Sequence, residues 1–347
     1  MGSLFDTRAE DMQLVQIHGV NDVRLDSVPV PQCGDNDVIV AVQNCGICGS
    51  DLGYIAMGGL GSGGPMPIGH EMSARVIEIG ANVSGVTLDD RVVVNPMEVD
   101  PPIGNFGTEG GFAPFLLVRD VAHNPKALIK VDNQLSDEQA ALVEPLSVGM
   151  HAVHRGEVTA KDKVVVFGAG TIGLSIAMVL KHYSVQDIVI VDTSAPRLEK
   201  AATLGLHTFQ VGEDGDLSAF LQQHHGSETS YGMAIPATDV YLEATGVAAV
   251  FEQMVSLAKS HSRLVVVGVH KASASIDLVS VLSKELSIKG AMAYPDEFPE
   301  VLDMLDNISF DPALLITHRY PLSDFHAALE MASDTEQAVK VMIDCQS

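Results

Sequence analysis

The chain has 347 residues, of which 46% are hydrophobic, and its 20 basic and 45 acidic side chains give a formal net charge of -25. This length and apolar content predict two domains with sizeable cores. The excess of negative charge argues against binding to nucleic acid or to an anionic membrane surface. The start, MGSLFDTRAEDM, has no secretory pattern, and the four cysteines are too scattered for a disulfide framework. We therefore expect a cytoplasmic protein in which a close cysteine pair indicates metal binding or redox chemistry.

The residues from about 13 to 130 alternate short apolar segments with turns. Period-two alternation, punctuated by Gly, Pro, Asn and Asp, predicts strands at LVQIHG, DVIVAVQNCG, SARVIEIG, DRVVVN and FAPFLLV. This region is expected to be an all-β domain of barrel or sandwich character. The glycine-rich residues 57–67 neither follow a strand nor open a helix, so we interpret them as a flexible loop and not as a phosphate-binding turn.

The pattern changes near Ser136. This serine and Gln139, three residues later, predict a capping box and a helix through DEQAALVE. After Lys163, helices (one to His182, one at about 196–204 and one near VFEQMVSLAK) alternate with the apolar strands KVVVFG, DIVIVD, VYLEATG, RLVVVGV and LSIKGAMA. Such alternation predicts a parallel sheet covered by helices on both faces, which is an α/β fold.

The last 50 residues leave this predicted parallel sheet. They contain the helices PEVLDMLDN and SDFHAALEMA and the strands ITHRYP and AVKVMIDC. We predict a dinucleotide-binding domain at residues 151–294, inserted into a β-rich domain made of residues 1–150 and 295–347. The 17 uncharged residues between Lys163 and Lys181 are explained by a strand, a turn and a helix, and not by a membrane span.

A glycine-rich turn follows the strand KVVVFG. Gly168, Gly170 and Gly173 make the pattern G-x-G-x-x-G between an apolar strand and a helix, the context in which it binds a dinucleotide. The first glycine permits the tight turn, the second lets the backbone approach a pyrophosphate, and the third lets helix and strand pack closely. The phosphates are expected at the helix N-terminus, next to Thr171 and Ile172. The alternative is a plain strand-to-helix connection.

An acidic residue ends the next predicted strand. Asp192 lies 19 residues beyond Gly173, the spacing of a carboxylate that binds the adenosine ribose hydroxyls and repels a 2′-phosphate, so the sequence favours NAD over NADP. Alternatively, Asp192 only caps the turn before the following helix. Three roles stay open for Arg197: its side chain lies over the adenine, pairs with Asp192 or faces solvent. Val267 and Val269, in LVVVGV, complete the predicted cofactor-binding set.

A second group of chemically active residues lies in the β-rich region. The segment NCGICGSD contains Cys45 and Cys48, and His70, 22 residues after Cys48, is followed by Glu71. A thiolate, an imidazole and a carboxylate form a suitable ligand set for Zn²⁺ and leave a position for a substrate oxygen. A redox role for C-x-x-C is disfavoured because the pair does not lead into a helix within a βαβ unit. His70 alone would be interpreted as a core histidine, but Asp51 is available to hold its second nitrogen.

Several of these motifs occur in one order along nearly the whole chain. GICGSD, GHE, ALVEPLSVGMHA, GAGTIG and LVVVGV together resemble the zinc-containing medium-chain alcohol dehydrogenases, especially the sorbitol, butanediol and threonine dehydrogenase branch. The resemblance implies a GroES-like β domain plus a doubly wound Rossmann domain, with the active site in the cleft between them. It also implies zinc and NAD as cofactors and assembly into a homodimer or homotetramer.

The resemblance assigns ligands residue by residue. It implies that Cys48, the Cys of CGSD, binds zinc and that Cys45 is only a neighbour. His70 becomes the second ligand, and Glu71 a ligand or near-ligand that can exchange with water. Glu144, in VEPLS, occupies the place where this branch carries a Glu and classical liver-type enzymes carry a Cys.

The resemblance assigns roles to two further residues, and the sequence differs from the family's pattern in two places. The resemblance implies that Ser50 hydrogen-bonds the substrate oxygen and that Asp51 holds His70. Many relatives carry a His where this chain has Gly53, which leaves the route of proton exit open. Residues 95–115 contain no Cys where the family often carries a lobe that binds a structural zinc, so we expect one catalytic zinc and no second one.

The expected reaction is NAD-linked oxidation of a secondary alcohol, diol or polyol, and reduction of the ketone in reverse. Ser50 accepts the alcohol proton while the metal polarises the oxygen. Two alternatives remain: a zinc-free quinone or enoyl reductase that uses NADPH, and a non-catalytic nucleotide-binding protein. The first would lack Cys48, His70 and Glu144 and usually the acid at Asp192. Only Gly53 supports the second. Tyr54 and Phe112 are weak candidates for the substrate pocket, and ordinary packing explains both.

Overall fold

The computed structural model of the protein describes residues 10–60, 64–131, 134–230 and 232–347. The chain forms two compact units. Unit 1 comprises the residues up to Glu144 with Ile316–Asp334 and Lys340–Ser347, and unit 2 comprises Pro145–Leu315 and Thr335–Val339.

Strands predominate in the first part of the chain, and strands alternate with helices in the rest. The first elements are β1 (Asp11–Gly19), β2 (Asp22–Pro29), β3 (Val38–Gly46), α1 (Gly49–Met57), β4 (Met66–Pro67), β5 (Glu71–Ile79), β6 (Arg91–Val94), β7 (Phe115–Val118), β8 (Leu128–Lys130) and α2 (Asp137–Ala141). Next come α3 (Val143–Arg155), β9 (Lys163–Phe167), α4 (Thr171–His182), β10 (Asp187–Asp192), α5 (Ala195–Thr203), β11 (His207–Gln210), α6 (Leu217–His225), β12 (Ser227–Ser230), β13 (Met233–Pro236), β14 (Val240–Glu243), α7 (Ala248–Leu257), β15 (Arg263–Val266), α8 (Leu278–Lys284), β16 (Ser287–Gly290) and α9 (Phe298–Leu305). The final elements are β17 (Ile316–Pro321), α10 (Phe325–Ser333) and β18 (Lys340–Asp344).

The main sheet of unit 1 is built around β3. Its order is β17-β18-β3-β5-β6-β8, with β7 also paired to β3, and β2-β1-β4 form a smaller sheet. The residues of β3 from Val38 to Val42 are all buried, because they are apolar and have a strand on either side. The predicted strands ITHRYP and AVKVMIDC form β17 and β18 of this sheet and lie outside the parallel sheet.

The sheet of unit 2 is parallel, as the sequence predicts. Its order is β11-β10-β9-β14-β15-β16, and every neighbouring pair is parallel. This is the doubly wound Rossmann order, in which a ligand binds at the carboxyl edge where the order reverses, between β9 and β14. Apolar side chains from β9, β10, β14 and α7 form one buried core cluster beside the sheet.

The predicted helix through DEQAALVE is shorter than expected. Its capping box is confirmed, since Ser136 Oγ accepts from Gln139 N at 3.1 Å and Gln139 Oε1 accepts from Ser136 N at 2.8 Å. The helix α2 nevertheless ends at Ala141, and α3 begins at Val143. Pro145 explains the break, because its ring would clash with the carbonyl of Ala141 in a continuous helix.

The segment 295–315, which the sequence analysis places in the β-rich domain, groups with unit 2. Two hydrogen bonds join α9 and the residue before it to other elements of this unit. Glu297 Oε1 lies 2.7 Å from His151 Nδ1 on α3, and Tyr183, at the end of α4, donates to Glu300. These partners are far away in sequence, so periodicity does not reveal where α9 packs.

The stretch between Lys163 and Lys181 forms β9, a turn and most of α4, which confirms that prediction. Among the described residues, the helices are all too short or too polar to cross a membrane. Residues 1–9 and the centre of the glycine-rich loop, residues 61–63, lie outside the described residues. The cytoplasmic location stays a prediction.

Candidate functional site

Three potential metal ligands converge in unit 1. One ligand atom from each of Cys48, His70 and Glu71 lies within 4.8 Å of those of the other two, and this is the one such cluster in the described ranges. Cys48 follows β3, His70 immediately precedes β5, and Glu71 is the first residue of β5. The antiparallel register pairs Gly46 with Glu71, so the two strands bring together residues that lie far apart in sequence.

Helix α1 fixes the Cys48 end of this cluster. Cys48 is the N-cap residue, and its Sγ accepts from Ser50 N at 3.5 Å. In return, Asp51 Oδ2 accepts from Cys48 N at 2.9 Å. The sulfur therefore lies at the N-terminus of α1, where it accepts a backbone hydrogen bond of the first turn. The sequence analysis does not predict this helix.

His70 is buried between two oxygen-bearing residues. Its Nδ1 faces Asp51 Oδ1 at 3.5 Å, and its Nε2 lies 3.4 Å from Ser50 Oγ. Burial opposes protonation, but the facing Asp51 carboxylate and the Cys48 sulfur outweigh it and raise the pKa of His70 well above its usual value. Because Nδ1 faces Asp51, Nε2 is the nitrogen of His70 that is the candidate ligand atom.

Cys45 lies outside the ligand cluster. Its side chain is fully buried, and this burial raises the pKa of its thiol well above the ordinary value. A thiol that resists ionisation is a poor metal ligand. Cys48, which is partly exposed at a helix N-terminus, has the better environment for that role.

Lys340 is a residue of the site that the sequence analysis missed. It is buried at the start of β18, and its Nζ lies 2.5 Å from Glu71 Oε2. Burial lowers the pKa of Lys340, but the negative charges of Glu71, Cys48 and Glu144 outweigh burial and raise it. Glu144 is thus close enough to act on Lys340, although it does not belong to the cluster of three. A lysine within the apolar segment AVKVMIDC was the available signal.

The glycine-rich turn of unit 2 has the geometry of a dinucleotide cradle. Gly168 has φ +98°, which favours glycine, and a Cβ on Gly173 would lie 1.7 Å from Gly168 O. Gly170 is the N-cap of α4, and no atom lies closer than 3.7 Å to the place of its missing Cβ. Thr171 Oγ1 donates to Val339 O at 2.8 Å, and Ile172 is half-buried.

Asp192 ends β10 beside this turn. Its Oδ2 accepts from Ala169 N at 2.6 Å, and its Oδ1 accepts from Ser194 N at 2.8 Å. A carboxylate offers about four acceptor positions, so these two bonds leave capacity for ribose hydroxyls. Arg197 does not simply face solvent, since its Nη2 donates to Ala338 O at 2.6 Å and its Nη1 lies beside Gly170.

The predicted valines lie after β15, at the same edge of the sheet. Val267 N donates to Glu243 O at 2.9 Å, and the side chain of Val269 is 77% exposed. Glu243, which the sequence analysis missed, is fully buried. It accepts from Gly246 N at 2.9 Å and pairs with His270 Nε2 at 2.9 Å, which ties the loops after β14 and β15 together.

The two weak pocket candidates differ in their surroundings. Phe112 is fully buried and packs on Phe325, with ring centroids 4.9 Å apart, so it belongs to the core. Tyr54 is half-buried, and its hydroxyl donates to Asn105 Oδ1 at 2.9 Å.

A doubly wound sheet with a dinucleotide turn, together with a separate cluster of S, N and O ligands, defines a metal-dependent dehydrogenase. The model of the alcohol dehydrogenase GroES-like domain matches residues 34–126, and that of the zinc-binding dehydrogenase matches residues 171–307. The chain belongs to the zinc-containing medium-chain alcohol dehydrogenase family. Within it, the chain is an alcohol dehydrogenase that uses zinc and a nicotinamide cofactor.

Relatives cover almost the whole chain. Sorbitol dehydrogenase of Mus musculus is 32% identical over 360 residues, and that of Ovis aries is 33% identical over 356 residues. Each match covers 97% of this chain and 97% of the relative. Among solved structures, 2R,3R-butanediol dehydrogenase of Bacillus subtilis is 30% identical with a TM-score of 0.85, and the match covers 96% of this chain and 99% of that one. The GroES-like and Rossmann folds predicted from the sequence are confirmed.

Proposed function

We propose that this enzyme oxidises a secondary alcohol group of a diol or polyol with NAD, and reduces the matching ketone in reverse. The observation that carries the proposal is the mixed ligand cluster of Cys48, His70 and Glu71, with the Ser50 hydroxyl 3.4 Å from His70 Nε2. The relatives named sorbitol dehydrogenase and butanediol dehydrogenase support the choice of polyols and diols.

The residues present fit a zinc ion. A thiolate, an imidazole and a carboxylate are donors that zinc accepts in catalytic sites, where one position stays open. Cys48, His70 and Glu71 would hold the ion, with Glu144 as a further carboxylate. Bound there, zinc would supply Lewis-acid polarisation of the alcohol oxygen. We propose one zinc per chain, because residues 95–115 offer no cysteine for a second.

Ser50 is proposed to accept the alcohol proton. Its Oγ lies 3.4 Å from Nε2, the candidate ligand atom of His70, and therefore next to the proposed metal site. The onward route for the proton would be the ribose of a bound cofactor or water near Glu144, because Gly53 has no side chain that could relay it. A side chain could be accommodated at this position, since no atom lies within 4 Å of a Cβ built on Gly53.

The cofactor is proposed to be NAD and not NADP. Gly168, Gly170 and Gly173, with Thr171 and Ile172, would bind the pyrophosphate at the N-terminus of α4. Asp192 would bind the ribose hydroxyls, and its negative charge would repel a 2′-phosphate. Arg197, whose Nη1 lies beside Gly170, would contact the same part of the cofactor. Val267 and Val269 lie at the carboxyl edge on the β15 side, where the nicotinamide half is expected.

The protein is proposed to be a homo-oligomer that joins through unit 2. β16 lies at the edge of the parallel sheet, and exposed apolar side chains concentrate near it. Leu278, Leu282 and Met292 are 72%, 78% and 80% exposed. A sheet edge beside an apolar patch is a surface that proteins normally cover. A second copy of the same edge would extend the sheet.

A coupled assay tests the proposed reaction. The purified enzyme is mixed with NAD and with sorbitol, 2,3-butanediol, a cyclic secondary alcohol or a primary alcohol, and NADH formation is followed. We expect turnover with at least one diol or polyol, and loss of this turnover after zinc removal by a chelator. Turnover only with quinones or enones and NADPH, unaffected by the chelator, would instead identify a zinc-free reductase.

A further inference from the structure

A lysine is buried against one of the candidate zinc ligands. The side chain of Lys340 is 2% exposed, and its Nζ lies 2.5 Å from Glu71 Oε2 and donates to Ile47 O at 2.8 Å. A charge without a partner at this depth would be strongly destabilising, so each of the two groups depends on the other.

The surrounding backbone makes room for this ion pair. A Cβ on Gly46 would lie 2.3 Å from Glu71 Oε2 and 3.0 Å from Lys340 Cδ. Any other residue at position 46 would therefore push the two groups apart. The pairing of Gly46 with both β5 and β18 places this opening between the two charged side chains.

Glu71 thereby faces two positive charges when zinc is present. One of its oxygens lies with the ligand atoms of Cys48 and His70, and Oε2 contacts Lys340. Two cations that share one carboxylate repel each other, and each can supply the counter-charge that the carboxylate needs. Zinc and Lys340 are therefore partly interchangeable partners of Glu71.

We propose that Lys340 is a resident counter-ion of Glu71. The lysine charge keeps the metal-free site folded and lowers the affinity of the site for zinc. The proposal rests on the proposed function, in which Cys48, His70 and Glu71 hold zinc. Lys340 is a positioning residue here, because it acts on the metal through Glu71.

The proposal predicts an unequal effect of removing the lysine charge. Without metal, Lys340→Met leaves Glu71 buried and unpaired, which is strongly destabilising. With zinc bound, the metal still neutralises Glu71, so the loss is smaller. Because zinc binding and folding are linked, this difference between the two losses of stability must also be measurable as tighter zinc binding by Lys340→Met than by wild type.

The experiment compares wild type, Lys340→Met and the double variant Lys340→Met with Glu71→Gln, each stripped by a chelator or saturated with zinc. For Lys340→Met we expect a larger fall in Tm when stripped than when loaded, and a zinc dissociation constant at least about tenfold lower. The stripped double variant should regain Tm, because no charge is left unpaired. Lys289→Met removes a lysine from a surface pair with Glu157 and should leave the zinc-dependent shift in Tm unchanged.

The outcomes separate this proposal from the proposed function. A Lys340→Met protein that folds only with zinc supports the counter-ion role. Equal falls in Tm with and without zinc, failure to fold even with zinc, or a double variant no more stable than the single one would overturn it. If wild type binds no zinc, or if Cys48→Ala keeps it, the zinc site itself is wrong.

Discussion

Asp192 is the residue that sets the choice of cofactor in the proposed site. Replacing it with Ser should weaken NAD binding by roughly 1–3 kcal/mol, the scale of losing charge-assisted hydrogen bonds. It should also reduce the preference for NAD over NADP, because the repulsive charge is gone. Dissociation constants of both cofactors check this. Asp187→Ser, at the exposed start of the same strand, is the matched control and should change neither constant. A wild type equally efficient with NADP would contradict the account.

Ser50 and Gly53 test the proton route. Ser50→Ala should lose most turnover while retaining zinc and NAD, since the hydroxyl acts on the proton and binds neither. A histidine relay buffers near a pKa of about 6.5, so Gly53→His should help oxidation near neutral pH and change little at alkaline pH. Rates of oxidation across pH measure both effects. Near-normal turnover of Ser50→Ala, or equal acceleration by Gly53→His at every pH, would assign the proton to another residue.

His225 should make unit 2 sensitive to acid. Its burial, with Lys163 nearby, lowers the pKa of His225 to about 4 from 6.5. As pH falls, His225 therefore becomes protonated in the unfolded chain at a higher pH than in the folded protein. This contribution to stability is complete above about pH 6.5 and decreases by about 3 kcal/mol as pH approaches 4.

Urea unfolding at several pH values measures this contribution. His225→Asn should lose less stability between neutral and acidic pH than wild type loses. His261→Asn, which changes a side chain that is 75% exposed, should follow wild type. Parallel pH profiles of wild type and His225→Asn would show that the acid sensitivity arises elsewhere.

At the candidate zinc site, the sequence was sufficient to predict the residues that lie in local motifs. Cys48, His70 and Glu71 lie in short patterns whose chemistry is recognisable, and the structure brings these three together. Lys340 could not be predicted as the partner of Glu71, because the contact joins β18 to the start of β5 across 269 positions. A strand pattern indicates which face is buried, but it does not identify the residues that pack against that face.

Among the elements, the apolar surface on α8 is the one that most needs a partner. Replacing Leu278 and Leu282 together with Asp should convert the proposed homo-oligomer into monomers, because the charges would be buried in the interface. Light scattering after size-exclusion chromatography measures the mass. Leu88→Asp, at a 61% exposed position in unit 1, should leave the mass unchanged. A wild type that is already monomeric would refute the proposed assembly.

Strands made of continuous apolar residues, with their flanking glycines, were predictable, and elements with few buried residues were not. β9, β10, β14 and β15 carry continuous buried residues, which period and composition detect. β11 buries one residue well, and α8 buries none of its side chains, so neither has a clear pattern. Helix α1 has a cysteine as its N-cap, which the usual Ser, Thr, Asp or Asn signal does not cover.

The whole molecule combines two compact units, each of which has its own candidate site. Unit 1 contains the ligand cluster and unit 2 contains the dinucleotide turn. The division along the chain after Glu144 falls just inside α3, so the sequence from the last ligand candidate to the first Rossmann strand passes through one helix.

The central claim is that a single zinc at Cys48 supports NAD-linked alcohol oxidation. Its most direct test is the zinc content per chain, measured by elemental analysis on the same samples as NADH formation. Wild type should contain one equivalent, Cys48→Ala should lose zinc and turnover together, and Cys45→Ala, the matched control three residues away, should retain both. Two equivalents in wild type, or zinc and turnover retained in Cys48→Ala, would contradict the account.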